Sequence, residues 1–195
     1  MHGLILRSIQ NYMTDSYGRT AWLQAVAQAV PDHPDFEAML SYNDTLAPAV
    51  LDAMGAVLNR PRSEVMEDIG TYLVSHPNTE AVRRLLRFGG MNFEDFLHSL
   101  DDMPDRARMA VSDLHLPAIE LHEHDEGRYS LICDSPLSDF GYLMMGVLRV
   151  MADDYGALAM LDHAGHTGGR ETVSIQLIER DYADGRSFNL GAWAS

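Results

Sequence analysis

The sequence predicts an α+β fold, with helices gathered in its first half and strands in its second. Three observations predict it. Apolar residues recur at helical spacing through the first half, beginning with Leu4, Ile5, Ile9, Tyr12 and Met13. From Ala118 the period shifts to alternation, as in Ile119 and Leu121 or Tyr129, Leu131 and Cys133. The resulting order, helices and then strand-strand-helix-strand-strand, packs as segregated layers rather than as repeated βαβ units. A chain of 195 residues suits one domain with a sizeable core. We divide it into a helical subdomain over 1–60, the remaining helices and the sheet over 61–182, and a tail over 183–195.

The elements follow in order. The first helix ends at Gly18, and a second spans Ala21 to Val30, stopped by Pro31 and Pro34. Thr45 to Leu58 forms a third, with Thr45 or Asp44 as its cap. Ser63 to Ser75 follows Pro61, with Val65, Met66, Ile69 and Leu73 on one face and Glu64 and Glu67 suited to the first turn. Asn78 to Phe88 closes at Gly89-Gly90, and Asn92 opens the next helix with Glu94 and Asp95 near its positive end. Ala118 to His124 and Tyr129 to Cys133 are strands joined by a turn at Asp125-Glu126-Gly127. Phe140 to Met151 returns to helix, its methionines Met144, Met145 and Met151 filling core or pocket. Ala157 to Leu161 and Thr172 to Ile178 are two more strands, with a turn at Gly168-Gly169 between them.

Composition excludes several classes. Hydrophobic residues make up 46%, too many for a disordered chain. No apolar run approaches the roughly 20 residues that cross a bilayer. The first residues lack the basic segment and cleavage site of a signal peptide. One cysteine, Cys133, excludes an internal disulfide and fits a reducing cytoplasm. A net charge of −15 argues against nucleic acid and against an anionic membrane surface. It suits neutral ligands or basic protein faces. No Gly-x-Ser-x-Gly, His-Glu-x-x-His or phosphate-binding glycine loop occurs, so an enzyme is not expected. The pairs Asp101-Asp102 and Asp153-Asp154 fit helix surfaces better than an acid/base site.

One stretch carries a resemblance. Phe96-Leu97-x-x-Leu100-Asp101-x-Met103 is similar to the Phe-Leu-x-x-Leu-Asp-x-Leu-His signature of the heme-nitric oxide/oxygen binding (H-NOX) family. The opening Met1-His2-Gly3 and the later Asp15-Ser16-Tyr17-Gly18 resemble that family's start and the end of its first helix. Asp68-Ile69-Gly70 resembles its turn into the distal helical segment. With the order of strands, the likeness spans nearly the whole chain. It implies a helical half packed on an antiparallel sheet with one inserted helix, and heme b held between the halves. It further implies binding of a diatomic gas, nitric oxide above all. The gas would be read out by a cyclase- or kinase-type signalling protein.

The departures fall on the family's chemistry. The histidine that binds iron is replaced by Pro104, which has no lone pair for a metal. The Tyr-x-Ser-x-Arg that holds the heme carboxylates reads Cys133-Asp134-Ser135-Pro136-Leu137, so only Ser135 is retained. Proline inside a helix costs about 3 kcal/mol, so the signature helix kinks or restarts at Pro104, with Asp101 or Asp102 as a new cap.

Substitute ligands are few. His98 precedes Pro104 by six residues, roughly 240° around the helix, and faces away. His76 lies near the distal segment, beside Pro77. His115 lies in the linker after the signature helix, bordering the proximal side. Cys133 is a ligand only as a thiolate and is more often an inert small apolar residue. His122 and His124 form a His-x-His pair that could hold zinc on one strand face, with Cys133, Asp162 or His163 as the third ligand, against a plain solvated acidic strand. The resulting expectation is a stand-alone, non-enzymatic sensory protein working in trans. The alternatives are a heme-free interaction or small-ligand module and a zinc-binding regulator.

Overall fold

The structure, a computed structural model, describes residues 1–125 and 127–186. Glu126 of the expected turn, and 187–195 of the expected tail, lie outside the described residues.

Among the described residues eight α-helices and four strands form the α+β arrangement. Helices α1 (Gly3–Tyr17), α2 (Arg19–Ala29), α3 (Leu46–Leu58) and α4 (Arg62–Ser75) come first. A 3-10 turn at Pro77–Thr79 leads into α5 (Glu80–Arg87), then α6 (Phe93–His98) and α7 (Met103–Ala110). Strands β1 (Ala118–Glu123) and β2 (Arg128–Asp134) precede α8 (Phe140–Tyr155), and β3 (Leu158–Thr167) and β4 (Arg170–Glu179) follow it. The sheet is antiparallel throughout, in the order β1-β2-β4-β3. Gly168 and Gly169 both take positive φ, 61° and 86°, between the paired Thr167 and Arg170. Such a two-residue turn matches the twist of its strands.

Two apolar clusters form the core. The first joins α1, α2, α3 and most of α4 around Leu6, Met13, Trp22, Phe36, Leu51 and Met66. The second lies under the sheet, around Phe96, Leu97, Leu100, Leu131, Met144 and Met151. Full burial of each such side chain stabilises by about 1.5–3 kcal/mol. Tyr142 and Leu143 of α8 pack against both clusters, so α8 is the spine between the halves.

Helix α4 runs against this spine at very close range. A Cβ on Gly70 would stand 2.0 Å from the Leu143 carbonyl oxygen, and one on Gly146 would stand 2.0 Å from that of Glu67. Asp68-Ile69-Gly70 is helix interior, as the expected helix over Ser63 to Ser75 has it, and not the turn that the family resemblance implied. Its glycine serves backbone approach rather than chain reversal.

The signature stretch breaks into two helices. Asn92 caps α6, its Oδ1 accepting from the Asp95 amide at 2.8 Å. After a turn through residues 99–102, α7 starts at Met103 with Pro104 in its first turn, where a missing N–H costs nothing. The restart is the expected one, but the cap is not. Asp102 stands at the cap position without a side-chain hydrogen bond, and Asp101 Oδ1 accepts instead from the Leu121 amide of β1 at 2.7 Å. At α3 the same correction applies: Thr45 makes no side-chain cap, and Asn43 Oδ1 accepts from the Thr45 amide at 2.9 Å. Asp154, expected on the surface, is fully buried and accepts from Arg83 Nε at 2.5 Å.

Candidate functional site

A cleft of about 570 Å³ opens where three segments meet. The start of α1 forms one wall. His2 precedes it in extended backbone, and its Nδ1 accepts the Leu4 amide at 3.1 Å. The loop before α3 crosses over this point, with the Gly3 amide donating to the Leu40 carbonyl at 2.7 Å. A Cβ on Gly3 would sit 2.1 Å from the Glu37 carbonyl oxygen, so the crossing requires glycine. Ile5 and Pro48 add apolar surface, and Pro136 and Leu137 close the side beyond β2. Ser135 turns that last segment by accepting the Leu137 amide on its Oγ at 3.1 Å.

The opposite wall is the linker after α7. Leu114 anchors it in the interior, and its neighbours Asp113 and His115 face the cleft. His115 Nδ1 lies 3.0 Å from the Asp113 carbonyl oxygen. His2 Nε2 lies 3.4 Å from Asp113 Oδ2, tying the α1 wall to the linker. That nitrogen is buried and has no hydrogen-bond partner among the described residues.

Of the substitute ligands weighed from sequence, His115 lines this cleft, as do Pro136 and Leu137 of the altered anchor segment; His76, His98, Cys133, His122 and His124 are not in its lining. His76 ends α4, stacks on Tyr72 at 4.7 Å and accepts the Asn78 amide at 3.3 Å. His98 is exposed beside the sheet, 3.6 Å from Glu123 Oε2 and edge-on to Tyr129. Cys133 is fully buried, and burial, with the Glu171 carboxylate nearby, pushes its thiol up to about 12. It is a neutral thiol at neutral pH, not a ligand-ready thiolate. His122 and His124 are exposed; His124 Nε2 lies 2.7 Å from Ser130 Oγ, and His122 lies 3.7 Å from Glu120 Oε2. Among the described residues no group of three His, Cys, Asp or Glu side chains could hold a metal ion.

Two features were not foreseen. One is His2, for which a lone histidine before an apolar run gives no signal. The other is a polar knot at the start of α8. Glu171 is buried and accepts the amides of Phe140 at 3.1 Å and Gly141 at 2.9 Å, where a helix start favours negative charge. His163 Nε2 reaches the same carboxylate at 3.0 Å, and its ring stacks on Tyr142 at 4.3 Å. The signal was available: Glu171 falls in phase with the inward-facing Val173 and Ile175.

This fold is one that other proteins share. The H-NOX protein of K. algicida, solved as the unliganded Fe(II) form, superposes with a TM-score of 0.77 at 15% identity, over 94% of this chain and 100% of that one. The H-NOX protein of S. oneidensis, solved in an Fe(II)NO state, gives 0.71 at 19% identity, over 91% and 99%. In sequence, soluble guanylate cyclase 89Db of Drosophila melanogaster is 22% identical over 160 residues, 82% of this chain and 24% of the cyclase. Soluble guanylate cyclase gcy-31 of Caenorhabditis elegans is 23% identical over 154 residues, 79% and 22%. The chain thus spans about a quarter of the length of these curated relatives. The family model described as "Haem-NO-binding" matches residues 2–160. The chain belongs to the haem-NO-binding, or H-NOX, family.

The donor set can be tested against heme b, which the family implies. The cleft offers apolar walls and one imidazole in the linker, and its volume lies in the ordinary range for a small-molecule site. These features fit the ring and its metal. The described lining contains no lysine or arginine side chain, its Met1 ammonium is already bound by Asp44, and Asp113 adds a second carboxylate, so the lining does not suit the ring's carboxylates.

Proposed function

We propose that this chain is a sensory module of the H-NOX type, in which a heme group held in the cleft couples diatomic gas binding to movement between the two halves. The output is contact with a signalling protein of cyclase or kinase type. The observation that carries this reading is the placement of the cleft. It lies between the α1 wall and the linker from the signature helices, and His2 meets Asp113 across it at 3.4 Å. An occupant that breaks this tie changes how the halves sit.

The experiment is an absorption titration of the purified protein with hemin, followed by reduction and exposure to nitric oxide. The reading requires a sharp Soret band that saturates at one heme per chain and shifts with the gas. A broad, non-saturating hemin spectrum contradicts it. That outcome favours the second reading, a heme-free interaction or small-ligand module. This alternative is supported by Leu137 and the aspartates in a lining whose described side chains include no lysine or arginine. A zinc regulator built on His122 and His124 has less support, since no ligand set surrounds either histidine among the described residues.

A further inference from the structure

We propose that the cleft binds a small protonated amine on an apolar body, with an oxygen acceptor next to its nitrogen, as in an amino alcohol. The inference rests on the second, heme-free reading above and names the ligand class. It starts from the charge of the lining. Among the described residues that lining has no lysine or arginine, and its Met1 ammonium is already held by Asp44. The Asp113 carboxylate stands 61% exposed. A cleft lined by one sign of charge concentrates ligands of the other sign.

The two histidines complete the polar pattern. The Asp113 carbonyl oxygen can only accept, so His115 Nδ1, at 3.0 Å, carries the ring proton. Its Nε2 keeps a lone pair, on an exposed ring in the lining. His2 is fixed the opposite way. Its Nδ1 accepts the Leu4 amide at 3.1 Å, so its proton sits on Nε2. The His2 side chain is only 4% exposed, yet that N–H has no hydrogen-bond partner among the described residues. A buried donor left open marks a place for an acceptor from outside the chain.

These groups are close enough to be met by one small molecule. His2 Nε2 lies 3.4 Å from Asp113 Oδ2, which sets an open donor beside a carboxylate. An ammonium donates to the Asp113 carboxylate and to His115 Nε2, and the adjacent oxygen accepts from His2. The rest of the ligand lies against Ile5, Pro136 and Leu137. A cleft of about 570 Å³ is of ordinary size for such a molecule.

The test uses the whole isotope-labelled protein, followed by nuclear magnetic resonance. The probe is phenylethanolamine. It is compared with phenethylamine, which lacks the oxygen, phenylethanol, which lacks the amine, and mandelate, which has a carboxylate in place of the ammonium. We expect the probe to saturate at one per chain and to shift the signals of Ile5, His115 and Leu137. Phenylethanol and mandelate should bind at least about tenfold more weakly, the loss of a charge-assisted hydrogen bond. Phenethylamine should fall between them and the probe. Asp113→Asn should weaken the probe by about tenfold, and His2→Phe should abolish the preference for the probe over phenethylamine. Shifts that never saturate, or that spread over exposed carboxylates such as Glu120 and Glu123, mean general attraction to an acidic surface and overturn the proposal. Equal binding of mandelate, or an unchanged Asp113→Asn, does the same. Hemin is titrated in parallel. A wild type that takes one hemin with a sharp Soret band removes the heme-free reading and the proposal with it. Without that band, a failed amine titration overturns the proposal alone. Far-UV circular dichroism checks the variants, and if one misfolds the ligand series on wild type still decides.

Discussion

At the scale of single residues, the cleft turns on Asp113. Its carboxylate meets His2 across the gap while its carbonyl orients His115, so one residue both ties the walls and sets a tautomer. A flat ring needs contact at about 3.5 Å on each face, roughly 7 Å between walls, so a ring lying between His2 and Asp113 has to part the two, which stand 3.4 Å apart. Asp113→Ala keeps the carbonyl, removes the tie and removes a negative charge from the lining. We expect hemin to bind this variant faster and more tightly than wild type, as stopped-flow absorption would show; unchanged or slower binding would count against the tie. Cys133 gives a second prediction. With its thiol pushed up to about 12 by burial and Glu171, it should resist thiol reagents at neutral pH in the native state and react fully once unfolded. Sequence reasoning reached His115 and Leu137 in the cleft but missed His2. Its role depends on where the loop before α3 crosses α1, a long-range packing fact with no local signature.

At the scale of elements, the signature stretch shows how one substitution is absorbed. Pro104 is tolerated because the chain ends α6 at His98 and starts a new helix with proline in its first turn. The cost expected for proline in a helix interior never arises. The break was legible, because proline's effect is local. The employment of Asp101 in holding β1 was not, since it depends on a partner twenty residues away. The α4–α8 crossing gives a sharper test. Gly70→Ala places a methyl 2.0 Å from a backbone oxygen, which no rotamer relieves. We expect a loss of about 3 kcal/mol or more in chemical denaturation, against roughly zero for an exposed position such as Ser75→Ala. The helix over Ser63 to Ser75 was legible in the sequence, but the role of Gly70 in it was not, because a glycine's close packing depends on the partner helix.

At the scale of the whole molecule, long-range polar contacts fasten the helices to the sheet over the second core cluster. Glu94 of α6 is bound by Arg180, with Nε at 2.5 Å, and by the Tyr129 hydroxyl at 2.8 Å. The Arg180 guanidinium, helped by that hydroxyl, holds its carboxyl below the usual range. A carboxyl depressed in the folded state adds stability above its unfolded pKa, near 4, and loses it as pH falls through the lower folded value. Glu94→Gln should therefore cost on the order of 1 kcal/mol at pH 7, with the difference from wild type shrinking below about pH 4 in denaturation series. Fold class, element order and the H-NOX likeness were legible because periodicity and motif order survive in the chain. The closed tie across the cleft was not, because it joins residues 2 and 113, which no pattern links.

The most direct measurement of the account is hemin's paramagnetic effect on the nuclear magnetic resonance signals of the isotope-labelled protein. With one equivalent of hemin, the account predicts loss of the signals of His2, Ile5, His115 and Leu137, while those of His122 and His124 on the sheet persist. Uniform attenuation over the surface, or attenuation centred on the sheet, would contradict the cleft as the working site.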